Sequence, residues 1–104
     1  MKFVWSDTIK FESLVKRNDL YYKLLNDVPF NGQVKGLRNG EIRNGMREGL
    51  WESYFDSGQL KSKGTYKNGK QEGLWTYWYQ EGSLDTDLSG IYKDGEKIAP
   101  LPDK

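Results

Sequence analysis

The 104-residue chain contains no cysteine and no histidine. Their absence excludes disulfides, thiolate nucleophiles, histidine-based triads and the usual zinc sites. Proline is scarce, with three residues against twelve glycines, so the glycines read as tight turns and not as a disordered tail. No apolar run approaches the roughly 18 residues that a membrane-spanning helix needs. The opening Met1-Lys2-Phe3-Val4-Trp5-Ser6-Asp7 turns polar too soon for a secretory signal, so a cytoplasmic protein is expected. A formal net charge of +1 gives no overall attraction to nucleic acid or to an anionic membrane.

What the chain does have is aromatic rings and internal repetition. Aromatics make up 14% of the residues and all hydrophobics together only 36%, so large rings must supply most of the burial. Gly49-Leu50-Trp51-Glu52-Ser53-Tyr54-Phe55-Asp56-Ser57-Gly58-Gln59-Leu60 returns 24 residues later as Gly73-Leu74-Trp75-Thr76-Tyr77-Trp78-Tyr79-Gln80-Glu81-Gly82-Ser83-Leu84. Thr65-Tyr66-Lys67-Asn68-Gly69-Lys70 matches Ile91-Tyr92-Lys93-Asp94-Gly95-Glu96. A fixed period in this range means stacked supersecondary units, each too small to bury a core alone.

The alternation within each unit reads as a hairpin. With a two-residue turn at Ser57-Gly58, Phe55 faces Leu60, Ser53 faces Ser62 and Trp51 faces Gly64 on one side. Gly64 then leaves room for the Trp51 ring. Leu50, Glu52, Tyr54, Lys61, Lys63 and Thr65 take the other side, where Glu52 opposes Lys63 as a cross-strand ion pair. The second unit repeats this around Glu81-Gly82, with Tyr79 facing Leu84 and Tyr77 facing Thr86. A two-residue insertion after Leu84 preserves strand parity, so Leu84, Thr86, Leu88, Gly90 and Tyr92 are expected to share the aromatic side. Upstream lies a degenerate unit: a strand over residues 33–38, a turn at Asn39-Gly40 and a stunted return strand over 41–43. Residues 1–28 admit two readings. Phe11, Leu14, Val15, Tyr22 and Leu25 fall near helical spacing; alternatively Leu14-Val15-Lys16-Arg17 and Leu20-Tyr21-Tyr22-Lys23 form a hairpin around Asn18-Asp19, which the β-branched and aromatic content favours.

Trp51, Phe55, Trp75, Tyr77 and Tyr79 read first as the packed side of the sheet and only secondarily as a binding stripe, since no other segment can supply a core. Tyr54 and Trp78 hold equivalent positions on the other side, among charged residues, where exposed rings serve as interface anchors. Lys61 and Lys63 make one unit basic, while their counterparts Asp85 and Asp87 make the next acidic. These six residues are the expected partner-binding set. In an extended strand Asp85 and Asp87 would point the same way, yet no third ligand or partner acid accompanies them, so neither a metal site nor a catalytic carboxylate pair is expected. No Walker or dinucleotide signature occurs. No cofactor is expected, and the four lysines of the basic unit, Lys61, Lys63, Lys67 and Lys70, make a weak case on a near-neutral chain for RNA or single-stranded DNA.

The recurring Gly-Leu-Trp, the aromatic triplet, the Gly-Gln-Leu turn and the linker Tyr66-Lys67-Asn68-Gly69-Lys70-Gln71-Glu72-Gly73 resemble MORN repeats, and more specifically the bacterial variant found in YwqK-type antitoxin and immunity-like proteins. Pro29-Phe30-Asn31-Gly32 is similar to that family's entry, where Pro-Phe-Thr-Gly is usual and Asn31 here replaces the threonine. The resemblance tips residues 1–28 towards a hairpin. It implies an all-β, single-layer twisted antiparallel meander of repeated MORN-type hairpins. The expected divisions are a divergent cap over 1–28, repeats over 29–97 (29–48 degenerate, 49–72 and 73–97), and a flexible tail over 98–104. It also implies no enzymatic activity, and a protein partner such as a toxin or effector that the module binds and occludes. Peripheral attachment to phospholipid and end-to-end self-association are the alternatives.

Overall fold

A computed structural model describes residues 7–102. Residues 1–6, which carry most of the segment read as lacking a leader, and the last two residues of the tail lie outside the described residues. The described chain is all-β with no α-helix. Among the described residues no helix is long and apolar enough to cross a membrane. Ten strands follow in order: β1 Asp7–Ile9, β2 Leu14–Arg17, β3 Leu20–Lys23, β4 Gly32–Val34, β5 Arg38–Arg43, β6 Met46–Tyr54, β7 Leu60–Lys67, β8 Lys70–Tyr77, β9 Gly90–Lys93 and β10 Glu96–Pro100. From β4 to β10 they form a sequential antiparallel meander, with β1 added in parallel at the β4 edge. Strands β2 and β3 make a separate hairpin. The Cα radius of gyration is 14.9 Å, above the roughly 13 Å of a compact 100-residue domain, as a stack of hairpins requires.

Residues 14–23 therefore follow the hairpin reading and not the helical one. Arg17 pairs with Leu20 across Asn18 and Asp19, whose φ angles of 51° and 67° make a primed turn. Phe11–Ser13 form a single 3-10 turn ahead of it. The hairpin is tied to the meander by three backbone bonds: Tyr21 N–H to Gly45 O, Phe30 N–H to Tyr21 O, and Gly45 N–H to Phe30 O. Three further primed turns connect the meander at Asn44-Gly45, Asn68-Gly69 and Asp94-Gly95, each with both residues at positive φ.

These turns are stapled from repeat to repeat. A side chain of the preceding unit accepts the turn's exposed N–H: Asn31 Oδ1 from Asn44 at 2.7 Å, Glu48 Oε2 from Asn68 at 2.7 Å, and Glu72 Oε1 from Asp94 at 3.3 Å. The two glutamate staples are charge-assisted, which makes them the stronger type. Asn31 thus stands where the later units use glutamate, which gives the departure from Pro-Phe-Thr-Gly a physical role.

Gly-Leu-Trp is a bulge motif. Opposite Gly40, three residues of β6 lie between the pairs Asn39↔Glu52 and Glu41↔Glu48; opposite Gly64, three of β8 lie between Lys63↔Thr76 and Thr65↔Glu72. Gly49 and Gly73 begin these bulges at φ 72° and 80°, a conformation that suits glycine. Each bulge swings its tryptophan back over the preceding strand. A Cβ on Gly40 would lie 2.3 Å from the Trp51 ring, and one on Gly64 would lie 2.1 Å from the Trp75 ring. Each indole Nε1 donates to a carbonyl of that same strand, Trp51 to Glu41 at 3.0 Å and Trp75 to Thr65 at 2.9 Å. The ring expected over Gly64 was Trp51. Trp51 and Gly64 are paired in register, but the bulge sends the Trp51 ring to Gly40 and leaves Gly64 to Trp75.

The same constraint corrects the first turn. Asn39-Gly40 is not a hairpin loop but the interior of β5, because Gly40 is the platform for Trp51. The chain reverses instead around Gly36, at φ 118°, whose N–H donates to the Asn39 side chain at 2.9 Å. The core is small: Phe30, Val34, Ile42, Trp51, Trp75 and Tyr92, with Ile9, Phe11, Leu14, Tyr21, Tyr66 and Tyr77 packed on it. At the far end, residues 98–100, read from the sequence as tail, complete β10.

Candidate functional site

The hairpin loops within the two full repeats each carry one more residue than the two-residue turns predict. Phe55 N–H bonds Gln59 O and Gly58 N–H bonds Phe55 O; Tyr79 N–H bonds Ser83 O and Gly82 N–H bonds Tyr79 O. This is a three-residue loop whose glycine closes it at positive φ (94° and 105°). Beyond Ser53↔Ser62 the register shifts, so Leu60 pairs with Tyr54 and not with Phe55. Leu84 likewise pairs with Trp78 and not with Tyr79. Below the shift the expected pairs hold, and Glu52 Oε2 meets Lys63 Nζ at 3.9 Å.

Tyr54 on β6, Lys61 on β7 and Trp78, just past the end of β8, lie at the same end of the sheet. Tyr54 N–H donates to Leu37 O, and Trp78 N–H donates to Lys61 O. Tyr54 and Lys61 line an open groove of about 440 Å³ with Glu12, Leu37, Arg38 and Asp56 among its other walls. The Tyr54 hydroxyl donates to Glu52 Oε1 at 3.0 Å. That bond, with burial and the Glu52 charge, pushes the phenol pKa above its usual value. Lys63 is held by Glu52, and the Lys61 ammonium sits 5.6 Å from the centre of the Phe55 ring. Both cations are thus partly engaged within the chain.

Asp85 and Asp87 are not two like-facing carboxylates on a strand. The two-residue insertion does not lengthen the strand; it is taken up by a tight turn over residues 85–88. Asp85 Oδ1 accepts from the N–H groups of Asp87 and Leu88 at 3.0 and 3.1 Å, so its side chain builds the turn. Lys97 Nζ caps the turn from outside, on the carbonyls of Thr86 and Asp87. Ser89, fully buried, bonds the Tyr77 backbone through its hydroxyl. Thr86 therefore does not face Tyr77. Leu84 and Leu88 are exposed, while Gly90 and Tyr92 keep their buried positions. The charge of Asp85, foremost, raises the pKa of exposed Tyr79.

The aromatic side is a continuous ladder. Phe11 meets Trp51 edge-on at 6.1 Å, Trp51 meets Tyr66 at 6.0 Å, Tyr66 meets Trp75 at 5.0 Å, and Trp75 stacks on Tyr77 at 5.9 Å. Trp51 and Trp75 are 4% and 3% exposed, so their rings are structural. Phe55 and Tyr77 are half-buried, and Tyr79 is exposed. Burial pushes the Tyr66 phenol up against the opposing pull of Arg47. Arg47 and Arg38, which the repeat pattern does not single out, also enter this side of the sheet. Arg47 falls inside the linker motif, and nothing in its spacing set it apart from its counterpart Gln71.

Stacked, bulge-linked hairpins define a β-hairpin repeat protein. Residues 47–68 match the family described as MORN repeat variant, and this match supports reading the chain as a MORN-repeat protein. The matched span runs from the first Gly-Leu-Trp bulge to the Asn68 turn. No curated protein and no solved structure shows significant similarity to the chain.

Proposed function

We propose that the chain is a non-catalytic, cytoplasmic protein-binding module of the antitoxin or immunity type, which occludes a partner protein with the surface around Tyr54, Lys61 and Trp78. The observation that carries this reading is the division of labour between the rings. Trp51 and Trp75 are committed to packing and to carbonyl bonds, whereas Tyr54 lines an open, charged groove and half-buried Trp78 bonds Lys61, another residue of that groove, through its backbone N–H. Half-exposed aromatic residues ringed by charge are the usual anchors of protein interfaces. Lys61 and Asp87 orient the partner by charge. Lys63 acts through Glu52, and Asp85 acts by shaping its turn.

The test is affinity capture of the partner from the source organism, followed by titration of the purified pair. Replacing Tyr54 and Trp78 together by alanine should weaken binding by ~2 kcal/mol or more, about thirtyfold, with the fold intact by circular dichroism. A folded double variant that binds as tightly as the parent overturns this surface assignment. The pairing of Lys63 with Glu52 argues against a purely electrostatic lipid surface, since it removes part of the basic charge such a mode would use.

A further inference from the structure

Arg38 and Arg47 are the only cations directed into the aromatic side of the sheet among the described residues that line its central notch. Arg47 lies 4.2 Å from the centre of the Tyr66 ring, 5.6 Å from Tyr21 and 6.0 Å from Phe11; Arg38 lies 4.7 Å from Phe11. Neither guanidinium has an ion pair among the described residues. Arg47 Nε is buried with no hydrogen-bond partner. Glu52, the one acid on the notch wall, is already engaged by Lys63 and the Tyr54 hydroxyl. Glu12 shares the outer groove with Arg38 but forms no ion pair with it.

The notch encloses about 80 Å³, well below the roughly 300 Å³ at which small-molecule pockets begin. It has room for one side chain. Its walls are the Trp51, Tyr66 and Trp75 rings, which suit methylene groups, and its charge comes from planar forks that match a carboxylate. Arg38 and Ser53 line both this notch and the outer groove beside Tyr54 and Lys61. A segment lying along the outer groove can therefore drop one side chain inward.

We propose that this notch binds the side-chain carboxylate of a glutamate presented by an extended segment of the partner protein. The aliphatic stem of that residue packs on the rings, and its carboxylate takes the Arg38 and Arg47 donors. The extended segment rests on the protein-binding reading above; the carboxylate notch itself does not, because it is tested with a free peptide.

The experiment is a nuclear magnetic resonance titration of the full chain with blocked Ala-Ala-Glu-Ala-Ala, read at the indole N–H groups of Trp51 and Trp75 and at the arginine Nε–H groups. The glutamine peptide and inorganic phosphate are run in parallel. The glutamate peptide should move these signals saturably, and at least fivefold tighter than the glutamine peptide. Arg38→Gln, a change at an exposed side chain that leaves the Arg47 ring stack in place, should weaken binding about tenfold, as loss of a charge-assisted bond does. Equal response to the two peptides overturns the proposal, as does unchanged affinity in Arg38→Gln. Tighter binding of phosphate assigns the notch to a phosphate-bearing ligand and also overturns it. None of these results bears on the loss of partner binding in the Tyr54/Trp78 variant, so the two readings fail separately.

Discussion

Trp75→Ala should lower the unfolding free energy by about 4 kcal/mol, within the ~3–5 kcal/mol typical of deleting a buried aromatic ring. The ring is 3% exposed, touches Tyr66 and Tyr77, and covers the bare backbone of Gly64. Its removal also strips the Thr65 carbonyl of its indole donor. For a domain whose total stability is of order 5–15 kcal/mol, this is a large share. Urea unfolding measures it: the midpoint should fall with little change in slope. A loss below about 1 kcal/mol would mean that the ring is not the packed link between repeats.

Gly64→Ala should cost about 2–3 kcal/mol, the upper part of the range for overpacking. The added methyl would stand 2.1 Å from Trp75 Cδ2, and the indole, held by its bond to the Thr65 carbonyl and by Tyr66 and Tyr77, would have to give up those contacts to move away. Gly64 is not at positive φ, so the cost is one of space and not of backbone strain. That gives a sharp control. In a Trp75→Ala background the same substitution should be close to neutral, because both changes act on one contact. Full additivity of the two would contradict the assignment of the Trp75 ring to Gly64.

Much of this architecture was legible in the residues. The 24-residue period located the hairpins, and the alternation around Ser53 and Ser62 set the correct register below the loop. The Asn18-Asp19 hairpin was readable from the β-branched and aromatic content of its flanking runs, Leu14-Val15-Lys16-Arg17 and Leu20-Tyr21-Tyr22-Lys23. What the alternation could not show is where it breaks. Gly49 and Gly73 look like ordinary strand ends, yet they begin bulges that lay each tryptophan over the preceding strand and not the following one. Gly40 shows the same limit: Asn-Gly is the strongest short turn signal, but here packing beneath Trp51 outweighs it. The three-residue loops and the Asp85 turn were hidden because parity arguments assume a continuous ladder, and side-chain capping replaces the ladder at that point.

The candidate surface was legible in a different way. Tyr54 and Trp78 were singled out by equivalence between repeats and Lys61 by its charge contrast with Asp85; Tyr54 lies on β6, Lys61 on β7 and Trp78 just past the end of β8. Asp85 was chosen as the acidic counterpart of Lys61, but its unit carries the insertion, so equivalence no longer implies equivalent geometry. Arg38 and Arg47 could not be found this way, because their neighbours Phe11 and Tyr21 come from the N-terminal segment, outside the repeat.

The claim on which the rest depends is that the two sets of rings do different work: Trp51 and Trp75 hold the repeats together, while Trp78 stays available to a partner. Hydrogen exchange of the indole N–H groups, followed by nuclear magnetic resonance, tests it directly. The Trp51 and Trp75 indoles are buried and donate to strand carbonyls, so they should exchange slowly, alongside the amides of β6 and β8. The Trp78 indole makes no hydrogen bond among the described residues and should exchange at once. Equal exchange at all three indoles would contradict this division between packed and available rings.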